Sequence, residues 1–216
     1  MVSLSRKQTC TLGILGQVLF IVSWLIFGVM QGSNYSWVKH SISDMYAVGA
    51  PHGGVLVVLI TLCGALTLSF LVWGLWPAVK KAGLPAKVSV VMLALSIYGL
   101  GDLLSPFERL GCRLADSGCT EALQSANFGG KADQLLSSLG ILLFMLGILT
   151  LGYSIKKLKG FSGTSTLLIV GGYIFIPLFI MMGAAPEISG LTERIIAILG
   201  ASLLTITARS CNITKP

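Results

Sequence analysis

The sequence predicts an all-α, polytopic integral membrane protein, with six transmembrane helices in one bundle and both termini cytoplasmic. Three observations lead there. Hydrophobic residues make up 54% of the 216-residue chain and charged residues only 11%, whereas a soluble domain carries about 25% charge. Mean hydropathy is +0.87, and one core of this size cannot hide so much apolar surface, so the excess must face lipid. Apolar runs long enough to cross a ~30 Å hydrocarbon core, which takes about 20 helical residues, recur six times, each bounded by charge, Pro or Gly.

The runs cover 11–30, 53–79, 88–104, 132–155, 164–182 and 189–208. The first follows Arg6 and Lys7 as a secretory signal would, but its ~20 apolar residues exceed the 7–15 of a signal core and no clear small-x-small cleavage site follows, so it is expected to be retained. The second opens at a turn around Pro51 and Gly53 and stops at Lys80 and Lys81. The third opens after Lys87 and has Asp102 near its end, and the fourth opens beside Lys131 and Asp133 and stops at Lys156. The fifth contains Pro177, which frees a backbone carbonyl, just after Gly171 and Gly172. The sixth is too short if it begins at Ile195, so it is read from Ser189, with Glu193 and Arg194 in its first turn. Alternating apolar and polar residues, the mark of a membrane barrel strand, are absent.

Charge sets the expected orientation. With the N-terminus in the cytoplasm, inner segments hold ten of the 15 basic residues and outer segments hold Lys39, Arg109, Arg113, Lys131 and Arg194. All eight acids fall on the outer side. The net charge of +7 thus belongs to a basic inner rim suited to anionic headgroups, not to nucleic acid. Cysteines agree: Cys112 and Cys119 in the outer "GCRLADSGC" are close enough to bridge in an oxidising compartment, while Cys10, Cys63 and Cys211 are expected to be free. Closing so small a loop contributes roughly 2.5 kcal/mol in the chain-entropy model.

The chain reads as a single membrane domain, 1–216. The outer segment 105–130 is too polar to cross and too short for a module. "GLGD" at 99–102 lacks the spacing of a phosphate cradle. "DLLSPFER" and "EISGLTER" share an acid followed six residues later by Glu-Arg, yet their flanking spans share no pattern, so no duplication is inferred.

Both histidines fall in "KHSISDMYAVGAPHGG". His40, His52, Trp37 and Tyr46 suit an interface where headgroups meet chains, and Ser43 suits the cap of a short helix holding Asp44. That account leaves out Asp102 and Asp133, which sit at span ends where a carboxylate must be paired or watered. Arg109, Arg113, Lys131 and Arg194 are the cations on that side. The candidate binding residues are therefore His40, Ser43, Asp44, His52, Asp102, Arg109, Arg113, Lys131, Asp133, Glu193 and Arg194. The arginines would take a phosphate and the acids an amine. A catalytic zinc usually takes three protein ligands. His40, His52 and Asp102 are the available candidates, but neither histidine has HExxH spacing, so no metal and no other cofactor is expected.

"HSISDMYA" after the first span, "SPFERLGC" after the third and "GLTER" opening the sixth resemble, in order and placement, the six-span membrane family of domain of unknown function 998. The resemblance implies six helices and no established activity. A histidine near the start of span four, common in that family, gives way here to Lys131 and Asp133 in "FGGKADQLLSSLG".

The expected function is an outward-facing polar site that binds a lipid headgroup or similar amphiphile, in a bacterial inner membrane or a plasma membrane. Membrane lipid is the one expected partner, and protein partners are left open. The alternatives are a metal-dependent membrane hydrolase acting on lipid, and an uncoupled transporter or purely structural membrane partner. No acid or histidine lies at mid-span, which argues against ion-coupled transport.

Overall fold

The computed structural model describes residues 5–213. Six helices long and apolar enough to cross a membrane make up the fold, and no strand occurs among the described residues: α1 (Arg6–Val29), α2 (Gly53–Ala82), α3 (Leu84–Phe107), α4 (Phe128–Ile155), α5 (Ser162–Ala184) and α6 (Pro186–Asn212). They match the six apolar runs but extend beyond them where polar caps hold the ends. Ser5 and Gln8 form a reciprocal capping box that starts α1 at Arg6 rather than 11. The Asn127 side chain accepts from the Gly130 amide at 2.7 Å and starts α4 at Phe128 rather than 132.

Each helix packs against the next in sequence, and α6 returns to pack against α1. The bundle is thus a closed ring. Along its axis Phe20, Tyr98, Phe144 and Phe175 form an aromatic tier, with ring centroids 4.6–5.7 Å apart. The described ends of α1 and α6, the turn at Gly83 and the 156–161 loop share one end of the ring. The 30–52 and 108–127 loops cover the other.

Two helices are irregular. α2 passes through a π turn at Phe70–Leu75. α3, predicted as one continuous helix, breaks instead: its α segment ends at Ala94, Ser96 is extended (φ −73°, ψ 175°), and a π turn over Ile97–Gly101 leads into Asp102. The Ser96 hydroxyl donates to the Leu93 carbonyl at 2.7 Å, competing with the helical ladder. Close packing holds the break in place. A Cβ added at Gly140 of α4 would lie 2.8 Å from the Ile97 nitrogen, and one at Gly64 of α2 would lie 2.9 Å from the Asp102 carbonyl carbon. Only glycine lets both neighbours approach this part of α3 so closely.

Candidate functional site

The loop-covered end is built by arginines that bind backbone rather than acids. Arg109 donates to the Tyr46 and Ala47 carbonyls at 2.8 and 3.0 Å. Arg113 donates to the Gln31 carbonyl at 2.8 Å and to the Gln31 side chain at 3.1 Å. Arg194, in α6, reaches the carbonyls of Trp37, His40 and Gly190 at 2.7–2.9 Å and the Tyr35 hydroxyl. Its guanidinium also lies 5.0 Å from the centre of the Trp37 ring, with Tyr35 and Trp24 at 5.7 and 5.8 Å. These bonds clamp the 30–52 loop across the bundle. The expectation that Arg109, Arg113 or Arg194 would offset Asp102 and Asp133 is therefore corrected. The one ion pair among the described residues joins Arg113 to Asp116, three residues on in the loop, where it holds the Asp116 carboxyl below its usual range.

Asp44 is wholly buried and ties the second loop down, its Oδ1 accepting from the Leu114 amide at 2.7 Å and the Gln124 side chain at 2.9 Å. Burial still pushes its carboxyl above the usual range. Ser43 does not cap the short 3-10 helix Ser43–Tyr46 but is its first residue; the N-cap is Ile42, and the Ser41 hydroxyl before it accepts from the Asp44 amide at 3.0 Å. Cys112 and Cys119 are disulfide-bonded across the loop, with Cα atoms 5.9 Å apart, while Cys10 and Cys63 are buried thiols.

Beneath this cover lies a partly enclosed cavity of about 50 Å³ on the bundle axis. Three carboxyl side chains line it: Asp102 from the reset part of α3, Glu108 just beyond that helix, and Glu193 from α6. Ser43, Tyr46, Ser105 and Ser137 add hydroxyls, and Phe20, Tyr98 and Ile141, all near the midpoints of their helices, form the deep end. The Tyr98 hydroxyl donates to the Ile196 and Ala197 carbonyls, 3.1 Å each, and so closes the floor against α6. Glu193 accepts from the Ile42 amide at 2.9 Å. Asp102 and Glu108, only 7% and 5% exposed, accept no hydrogen bond through their carboxylates from any described residue, and Glu108 Oε1 is a buried acceptor without a partner. Burial lifts the Glu108 carboxyl to about 8, with the nearby Asp133 adding to the rise. Asp133 faces the Ser43 hydroxyl, and its Oδ1 is also without a partner.

Of the sequence-derived residues, the fold gathers Ser43, Asp102, Asp133 and Glu193 at or beside this cavity. It places the others elsewhere. His40 is half-buried under Tyr35, its Nδ1 accepting from the Ser36 amide at 3.0 Å, and burial depresses its pKa. His52 is exposed at the start of α2 in a left-handed conformation (φ 56°). Lys131 is exposed. No three His, Cys, Asp or Glu side chains among the described residues are placed to hold a metal ion. Glu108, Ser105 and Ser137 were not singled out from the sequence, and Tyr46 was read there only as an interfacial residue. Glu108 stands beside Arg109, which suggests a pair, yet successive residues here turn opposite ways, Arg109 to the loop and Glu108 to the cavity.

The family described as protein of unknown function DUF998 matches residues 14–210, nearly the whole chain. The chain belongs to the DUF998 family. No curated protein and no solved structure matches it. The matched region takes in four of the six spans of this DUF998 protein whole and most of the first and last, and every residue lining its cavity falls within it.

Proposed function

We propose that this DUF998 protein is a multi-pass membrane binding protein whose cavity receives the cationic end of an amphiphile, a lipid headgroup included. The observation that carries this is Asp102, a carboxylate more than nine-tenths buried, lining a cavity and accepting no side-chain hydrogen bond from any described residue. A buried carboxyl in that state calls for a proton or a cation. Glu108 and Glu193 strengthen the demand, and every nearby arginine is already committed to carbonyls. The phosphate-binding part of the expected site thus has no support in the geometry, while the amine-binding part has. The aromatic floor makes the cavity a blind pocket, which favours binding over passage.

By the distribution of charge, the covered end faces outward and the basic end faces the cytoplasm. An amphiphile in the outer leaflet would then present its head at the depth of the cavity while its tails stay in lipid.

The test is binding of dodecylammonium to the purified chain in nanodiscs, followed with thermal stability. Asp102→Asn is expected to weaken binding at least tenfold without lowering the melting temperature. Binding and stability falling together would show a purely structural network, and tighter binding of dodecyl phosphate than of dodecylammonium would overturn the proposal.

A further inference from the structure

Resting on that reading, we infer that the pocket selects a primary ammonium of the ethanolamine type over a quaternary one. The decisive feature is the donor balance. Asp102 and Glu108 line the cavity without a donor from any described residue, and Glu108 keeps one buried oxygen without a partner among them. A primary ammonium brings three N–H donors that can be shared among such acceptors. A quaternary ammonium brings charge and no donor, so the same oxygens would stay unsatisfied in a low-dielectric site. Neutralising the charge is not enough; the acceptors need hydrogens.

Size points the same way. A water needs about 10–15 Å³ of cavity volume measured with a water-sized probe, so about 50 Å³ admits a short aminoalkyl fragment of three or four heavy atoms. The N–C–C–O fragment of ethanolamine has four heavy atoms, and its trimethylated form has seven, which exceeds that allowance. Quaternary cations are held by the open faces of several aromatic rings, and here the rings of the deep end pack on one another. Phe20 packs edge-on against Tyr98 with centroids 5.7 Å apart, and Tyr98 lies 4.6 Å from Phe144. The carboxyls are also too dispersed for one metal ion, since no three potential ligands meet among the described residues. An ammonium with its carbon arm spans a distance that a single ion does not. The hydroxyls of Ser43 and Ser105 would accept or donate to a neighbouring hydroxyl or ester oxygen on the same fragment.

The site would be filled either by a phospholipid head carrying a primary amine or by the free amine, and one titration separates them. The full chain, in nanodiscs made only of phosphatidylglycerol, is titrated at pH 8.5 with dihexanoyl phosphatidylethanolamine, dihexanoyl phosphatidylcholine and free ethanolamine. The ethanolamine lipid is expected to bind at least tenfold more tightly than the choline lipid, and Asp102→Asn is expected to remove most of that difference. Free ethanolamine matching the lipid would name the soluble amine as the source, and binding of the lipid alone would name the headgroup; either supports the inference. Choline lipid binding as tightly as ethanolamine lipid would overturn the selectivity while leaving a cation pocket in place. Silence from all three probes, with dodecylammonium also unbound, would overturn both readings. The comparison among probes uses the unaltered protein, so it stands even if the variant fails to fold.

Discussion

Replacing Glu108 with glutamine should change how stability depends on pH, in a direction that the pocket dictates. Burial, with help from Asp133, raises the folded-state pKa from 4.5 to about 8, so between those values the folded chain keeps a proton that the unfolded chain gives up. The stability contributed by this group is complete below about pH 4.5 and is lost as pH rises through about 8. At 1.36 kcal/mol per pH unit the whole rise corresponds to about 5 kcal/mol. Water admitted by the cavity screens the charge, which brings the usable figure to about 2–3 kcal/mol. Glutamine keeps the shape and stays neutral throughout. Glu108→Gln should therefore match the parent near pH 5 and exceed it by about 2–3 kcal/mol at pH 9, a gain of roughly 5–10 °C in melting temperature for a chain of this size. Thermal unfolding in nanodiscs at pH 5, 7 and 9, without added amine, reads this directly. Parallel pH profiles for the two proteins would refute the reasoning, because they would mean that Glu108 titrates alike in the folded and unfolded chain.

Three other outcomes follow from the same structure. Replacing both Cys112 and Cys119 by serine should lower stability by roughly 2.5 kcal/mol, as the chain-entropy model gives for so small a loop, and mass spectrometry should find no free thiol at either position in the parent; a free thiol at Cys112 would contradict the bridge. Arg194→Lys, which loses the planar fork that spans three carbonyls and three rings, should destabilise the bundle by about 3 kcal/mol, measured as a drop in melting temperature. Cysteines introduced at Ser117 and Ser162, both exposed and at opposite ends, should label with an impermeant thiol reagent in intact cells at Ser117 only; labelling at Ser162 alone would invert the orientation.

The spans were legible because lipid imposes a composition that no local detail overrides. Helix ends were less so, since Ser5, Gln8 and Asn127 are polar residues whose capping role depends on backbone geometry, and they lengthened helices that hydropathy had cut short. The break at Ser96 was hidden for a different reason. It lies inside an apolar run, and what stabilises it is the close approach of Gly64 and Gly140 from other helices, which a single segment cannot reveal. The acids were found and their partners were misjudged. Opposite charges on one side of a membrane suggest pairing, but Arg109, Arg113 and Arg194 found backbone carbonyls in the irregular loops, and these loops expose many such acceptors. Glu108 was read only as one of the eight outer acids, because nothing in "DLLSPFER" tells that its side chain turns into the bundle.

The closure of the ring by α6 on α1 sets an order for the birth of this protein. Glu193, Ile196 and Ala197 line the cavity and the Arg194 clamp holds the first loop, so the pocket lacks one wall, and the cover one of its clamps, until α6 has left the ribosome. Until then Trp24 and the 30–52 loop wait without their guanidinium, and the carboxyls of α3 and α4 face an open seam. The site is thus completed by the packing of α6 on α1, two helices distant in sequence.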